Sequence, residues 1–349
     1  MALSSSLPKL LSYPQREWGT PASSRWLALT DTLSTWITPC TSLTLTDPRE
    51  RKWELVSAYQ KCVRRGWNGW AQQLIGALHV ADHTDTRYFW TRVSTTACED
   101  VGYGDPELMR FVIACSILWP PSSGSEWTRT VWSFLTAAMC DAQRSRIHCQ
   151  LSLLEDWTVR ERISPRDVTE WEQMVLTTIR QLSDKEHAFW GDARGAWSQK
   201  NNWRGQNMLK FADYPLPLSV TAAPQDPPPH EVLCGLPDFT YDMHTRVGNR
   251  ARLRLCAEPE IGEFLRRHPT PKRTAPIGWA LFLLEGGIVA DGLGDARLYH
   301  LEEKCLAATL AWDLAAWLSF KELMNGLLRD GRVDAVRGHV LSETYELPV

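Results

Sequence analysis

The sequence predicts a mainly α-helical protein: a helical bundle, a Pro-rich connector and a smaller C-terminal helical part. Three observations predict it. A capping side chain followed by proline and an acid recurs ahead of apolar stretches; the apolar residues in those stretches recur every three to four positions; and strand-like alternation is scarce, confined to weak possibilities at 39–46 and 286–289. The 349 residues include 18 tryptophans, against 8 tyrosines and 9 phenylalanines. Segments this rich in large apolar rings bury enough surface to offset ordering, which excludes disorder of the whole chain.

The elements follow in order. In Asp47-Pro48-Arg49-Glu50 the Asp47 side chain suits a helix cap, Pro48 the first helical position and Glu50 the closing partner of a capping box. Trp53, Val56, Tyr59 and Val63 then share one helical face, so Trp53 is expected inside, and Gly66 is the stop. Helical periodicity continues through 70–80 and 86–101. Asp105-Pro106-Glu107 opens another helix, which Pro120-Pro121 ends. One or two helices are expected in 127–154, and Ser164-Pro165-Arg166-Asp167 starts a further one with Trp171 on its buried face.

Residues 213–237 hold seven of the chain's 21 prolines and cannot be helical. They divide the chain into an N-terminal extension (1–46), a helical domain (47–212), the connector, and a C-terminal basic and helical region (238–349). In that last region a short helix is expected near 260–267, a glycine-broken turn at 286–294 and one long helix over about 301–328, with Asp313 interrupting its apolar run.

The formal charge of −3 argues against a wholly cationic surface, but it is unevenly spread. Residues 246–273 carry eight Lys or Arg against three acids, a local +5 that leaves −8 for the remainder. No run is long and apolar enough to predict a membrane helix, the first eleven residues lack the pattern of a secretion signal, and the nine scattered cysteines form no Cys-x-x-Cys pair. A reduced, cytoplasmic protein is the expectation, with its cysteines used as small apolar residues.

The segment Arg51-Lys52-Trp53-Glu54-Leu55-Val56-Ser57-Ala58-Tyr59-Gln60-Lys61-Cys62-Val63-Arg64-Arg65-Gly66, followed after an intervening helix by Cys98-Glu99-Asp100-Val101-Gly102-Tyr103-Gly104-Asp105-Pro106, resembles the region after the ATPase core in the replication-associated recombination protein A family, also called MgsA. Its eukaryotic relative is the Werner-helicase-interacting protein. A weaker likeness to divergent, partly phage-borne relatives lies in Tyr241-Asp242-Met243-His244-Thr245-Arg246-Val247-Gly248. The resemblance implies a helical domain like a clamp-loader collar, self-association, and action on DNA at stalled or gapped forks, in a divergent phage or mobile-element version. The motor is not expected: no Gly-x-x-x-x-Gly-Lys-Ser/Thr loop occurs, and about 46 residues precede the matching helix. Partners implied are a second copy of the chain, single-stranded DNA, and a separate ATPase, clamp or single-strand-binding protein.

Within this likeness Glu99, Asp100, Gly102, Asp105 and Pro106 read as structural, since two glycines and an Asp-Pro pair are what a tight helical corner needs. Candidate phosphate contacts are Arg246, Arg250, Arg254, Arg266 and Arg267, joined by Lys200, Trp203 and Arg204, where an aromatic sits between basic and amide side chains. His79 and His83 are spaced to share a metal, yet Val80 stands where zinc hydrolases of that spacing carry Glu. Asp242 with His244 is the other pair weighed for chemistry; a structural turn is the plainer reading, and no metal, cofactor or catalytic residue is assigned. The function expected is a non-ATPase accessory protein of DNA replication or recombination. The alternatives are an interaction module or inhibitor mimicking a host replication subunit and, less favoured, a metal-dependent enzyme.

Overall fold

The computed structural model describes residues 35, 43, 45, 49–81, 86–118, 126–159, 168–183, 232–286 and 296–345. These are mainly helical: α1 (Lys52–Arg65), α2 (Asn68–Ala81), α3 (Thr86–Thr96), α4 (Pro106–Leu118), α5 (Glu126–Asp141), α6 (Ile147–Val159), α7 (Glu170–Ser183), α8 (Arg246–Leu255), α9 (Pro259–Arg267), α10 (Ala275–Glu285), α11 (Ala296–Thr309), α12 (Leu314–Arg329) and α13 (Arg332–Tyr345). A π-turn (Ala97–Val101) and a short 3-10 turn (Gly102–Gly104) join α3 to α4. Among the described residues the one sheet is a hairpin of β1 (Val232–Leu233) and β2 (Leu236–Pro237), inside the stretch expected to be connector.

Several helix ends follow the expected chemistry. Gly66 closes α1 in the left-handed conformation (φ 71°), and the Trp67 amide reaches back to the Cys62 carbonyl, so the free carbonyls of the last turn find donors. Asp105 accepts from the Leu108 amide at 3.0 Å and Pro106 takes the first position of α4.

Others differ. α1 begins at Lys52, after a turn at 49–51, and Asp47 and Pro48 lie outside the described residues. α7 begins at Glu170 under Thr169, whose hydroxyl accepts from the Glu172 amide (3.2 Å) while the Glu172 carboxylate accepts from the Thr169 amide (2.7 Å). This is a reciprocal capping box. The long helix expected over 301–328 is two: α11 ends, Ala311 turns at φ 61°, and Asp313 caps α12 by accepting from the Ala316 amide at 2.7 Å. An aspartate inside an apolar run thus marks a helix start, because its short side chain bonds the free amides better than it sits mid-helix.

Two apolar cores hold the helices. One gathers Leu55, Tyr59 and Val63 of α1 with Leu74, Trp90, Val112, Trp132, Phe239, Tyr241, Ala251 and Leu341; the other gathers Leu151, Ile179, Ile261, Leu281, Leu301, Trp317 and Phe320. Both draw on residues from before and after 213–237, since α8 and α13 enter the first core and α6 and α7 the second. Trp53 is a correction: it is 49% exposed, with Arg92 over its ring at 5.1 Å. The buried side of α1 centres on Leu55, Tyr59 and Cys62, and Trp53 falls two positions, roughly 200°, from Leu55. Trp171 is partly buried against the second core, under Arg297 at 4.3 Å. Among the described residues no helix is long and apolar enough to cross a membrane.

Candidate nucleic-acid interface and the charges that support it

α1 and the residue before it, Arg51, place four cations in the interior, and each finds an acid or a carbonyl. Arg51 donates to the Cys234 carbonyl (2.7 Å) and the Tyr241 hydroxyl (2.9 Å), and Tyr241 in turn donates to the Leu233 carbonyl (2.7 Å). Lys61 pairs with Asp242 at 2.8 Å, both side chains 3% exposed, and donates to the Phe239 carbonyl. Arg64 donates to Asp100 and to the Gly286 carbonyl (2.6 Å); Arg65 donates to the Glu285 carbonyl and lies 4.2 Å over the Phe239 ring. The last carbonyls of α10 are therefore capped by two guanidinium groups from α1, a favourable place for positive charge. Burial draws the Arg65 guanidinium down to about 10. It remains a cation at neutral pH.

The turn at 98–106 is part of the same framework. Glu99 accepts from Gln60, and Asp100 takes Arg64 while its carbonyl accepts from the Ser145 amide at 3.0 Å. Burial raises the Asp100 carboxyl against the pull of Arg64. Gly102 sits at φ 41°, and a Cβ there would meet His148 Nδ1 at 2.5 Å; at Gly104 it would meet the Gln143 carbonyl at 2.3 Å. Only glycine leaves room for the His148 ring at the first position and for the Gln143 backbone at the second. Each residue of the turn thus has a packing or capping partner.

The second motif frames α8. Asp242 accepts from the His244 amide (2.9 Å), Thr245 caps the helix by accepting from the Gly248 amide (3.0 Å), and a Cβ on Gly248 would fall 1.8 Å from the Asp242 carbonyl. Burial pushes the Asp242 carboxyl up, but the Lys61 ammonium, helped by His244, overrides it and holds it well below the usual carboxylate range. His244 is 56% exposed, 3.5 Å from Asp242 and edge-on to Phe282. The Asp242 carboxylate is committed to Lys61, which leaves it poorly placed to exchange a proton with a reactant.

α8 turns Val247, Gly248, Ala251 and Leu255 inward and leaves Arg246, Asn249, Arg250 and Leu253 exposed. Arg250 donates to the Thr344 hydroxyl at 2.9 Å and Arg254 pairs with Glu343 at 2.5 Å, both on α13. Beyond the turn that follows, Arg266 and Arg267 are 71% and 64% exposed and share Glu263, while Lys272 and Arg273 are exposed on the next loop. The chain just after α9 is held by Trp312, whose indole donates to the His268 and Pro269 carbonyls. Arg246, Arg250, Arg254, Arg266 and Arg267 thus belong to one stretch of helix, turn and helix. Lys200, Trp203 and Arg204 lie outside the described residues.

His79 packs edge-on against Trp132 at 5.5 Å, and His83 lies outside the described residues. Among the described residues no group of three or more His, Cys, Asp or Glu could hold a metal ion. The sequence reading missed the buried cations Arg146 and Arg337; the latter makes a bidentate pair with Glu285 (2.5 Å each) and bonds Asp334 (2.9 Å). The only signal was indirect: basic residues interspersed among apolar ones, with no separate polar face to take them. No family model, no curated protein and no solved structure matches the chain.

Proposed function

We propose that the chain is a non-enzymatic accessory protein of DNA replication or recombination, contacting the phosphate backbone of single-stranded DNA. The observation that carries this reading is the exposed cationic run formed by α8, the end of α9 and the following loop, with Arg246, Arg250, Arg266, Arg267, Lys272 and Arg273 at the surface of a chain of net −3. Local positive charge on an acidic protein attracts a polyanion by releasing its counterions, without any need for base-specific groups. The likeness of the 98–106 turn to the recombination-protein family supports a role at replication forks through self-association and a partner ATPase, clamp or single-strand-binding protein.

The test is a titration of labelled oligothymidylate at several salt concentrations. The expected result is binding that weakens steadily as salt rises, and that the combined Arg266→Ala, Arg267→Ala, Lys272→Ala and Arg273→Ala variant loses by at least about tenfold, as removal of several phosphate contacts should. Binding that ignores salt, or no binding, overturns it. Preferential capture of polyglutamate would reassign the face to an acidic protein partner.

A further inference from the structure

We propose that the last turn of α13 acts as an internal competitor for the cationic face, occupying two of its arginines with groups that imitate a phosphate contact. The inference rests on the nucleic-acid reading of that face and adds its regulation. α13 packs along α8 and is anchored by Val340 and Leu341 in the first core and by the buried Arg337–Glu285 pair. This anchorage fixes where its C-terminal turn falls.

That turn sets an oxyanion and a hydroxyl on α8. Glu343 lies 2.5 Å from Arg254 and 3.3 Å from His339, and Thr344 accepts from Arg250 at 2.9 Å. The two arginines lie one helical turn apart, at the spacing that lets neighbouring side chains grip one anionic strand. Both partners of the Arg254–Glu343 pair are well exposed, at 39% and 45%, so solvent screens the contact. A pair of this kind is weak enough for a phosphate backbone to displace and strong enough to lower its affinity. The nearby Tyr345 bonds Glu54 and lies under Arg51, tying the end of the helix to α1 and holding the competitor in place. Acidic and hydroxyl side chains here do not complete a core; their contacts are on the surface, with the groups a nucleic acid would use.

The experiment compares oligothymidylate affinity of the full chain, Glu343→Gln, and Glu343→Gln combined with Arg254→Ala, in one low-salt buffer. The expected result is a two- to fivefold tighter complex for Glu343→Gln, the range an exposed ion pair supports, and loss of that gain when Arg254 is also removed. Unfolding midpoints of the three proteins are measured alongside, and the expected values agree closely because no buried group changes. If the full chain binds and Glu343→Gln binds no better, the inference falls while the nucleic-acid reading stands. If neither binds, the nucleic-acid reading falls and takes the inference with it.

Discussion

Asp242 and Lys61 form a pair in which each side chain is 3% exposed. The carboxylate is buried and its partner is an equally buried ammonium, so removing one charge strands the other. Asp242→Asn is expected to cost about 3–5 kcal/mol at neutral pH in urea unfolding, whereas Lys61→Met with Asp242→Leu recovers most of the loss. The pH dependence has a definite sign. Because the folded carboxyl titrates below its unfolded value of about 4, the pair stabilises above that pH, and the stabilisation drains away as pH falls toward the folded value. The gap between wild type and Asp242→Asn should therefore be widest near neutrality and shrink below about pH 4. A gap that grew in acid would mean the pair does not hold the carboxylate ionised. Gly248→Ala is expected to cost about 3 kcal/mol or more, since a methyl group 1.8 Å from the Asp242 carbonyl forces the motif apart.

At the scale of elements, capping chemistry decides boundaries. Thr169 and Asp313 each satisfy amides that the first turn of a helix leaves open, and replacing either with alanine should cost about 1 kcal/mol, measurable as a shift in urea midpoint with unchanged slope. Asp105 and Gly66 were legible in the sequence because proline and glycine mark their surroundings. Asp313 was not, because an acid in an apolar run reads equally as an interruption or as a start until Ala311, two residues before it, is seen to turn. Trp53 was misplaced for a related reason. Four residues at helical spacing define the buried face only when the polar residues between them stay in solvent, and α1 buries Glu54, Ser57, Lys61, Arg64 and Arg65 as well.

For the whole molecule, the charged ties between α1, α10 and α13 bind the two cores into one unit. Arg65 and Arg337 both converge on Glu285, one through its carbonyl and the other through its carboxylate. The slowest-exchanging amides of α2, in the first core, and of α12, in the second, are expected to share one opening free energy. Both should fall together, by about 3–5 kcal/mol, in Arg337→Ala. Separate values, with only one responding, would show that the cores open independently. The six buried cysteines of the described residues add no charge to these cores; burial pushes the Cys62 thiol up to about 12, so it stays protonated.

Helical character, the start and stop of several helices, the need for glycine at the 98–106 corner and the local positive charge of 246–273 can all be read along the chain. These depend on spacing, caps and charge within a few residues of each other. Folding is what settles which cations face inward, brings α8 and α13 into the first core and α6 and α7 into the second, and sets Glu343 and Thr344 on the candidate phosphate-binding arginines. Such contacts join residues separated by up to nearly 300 positions, as Glu54 and Tyr345 are. An arginine carries the same charge and stem whether it meets solvent, a carbonyl or a carboxylate. Its partner becomes known only when the chain has folded back on itself.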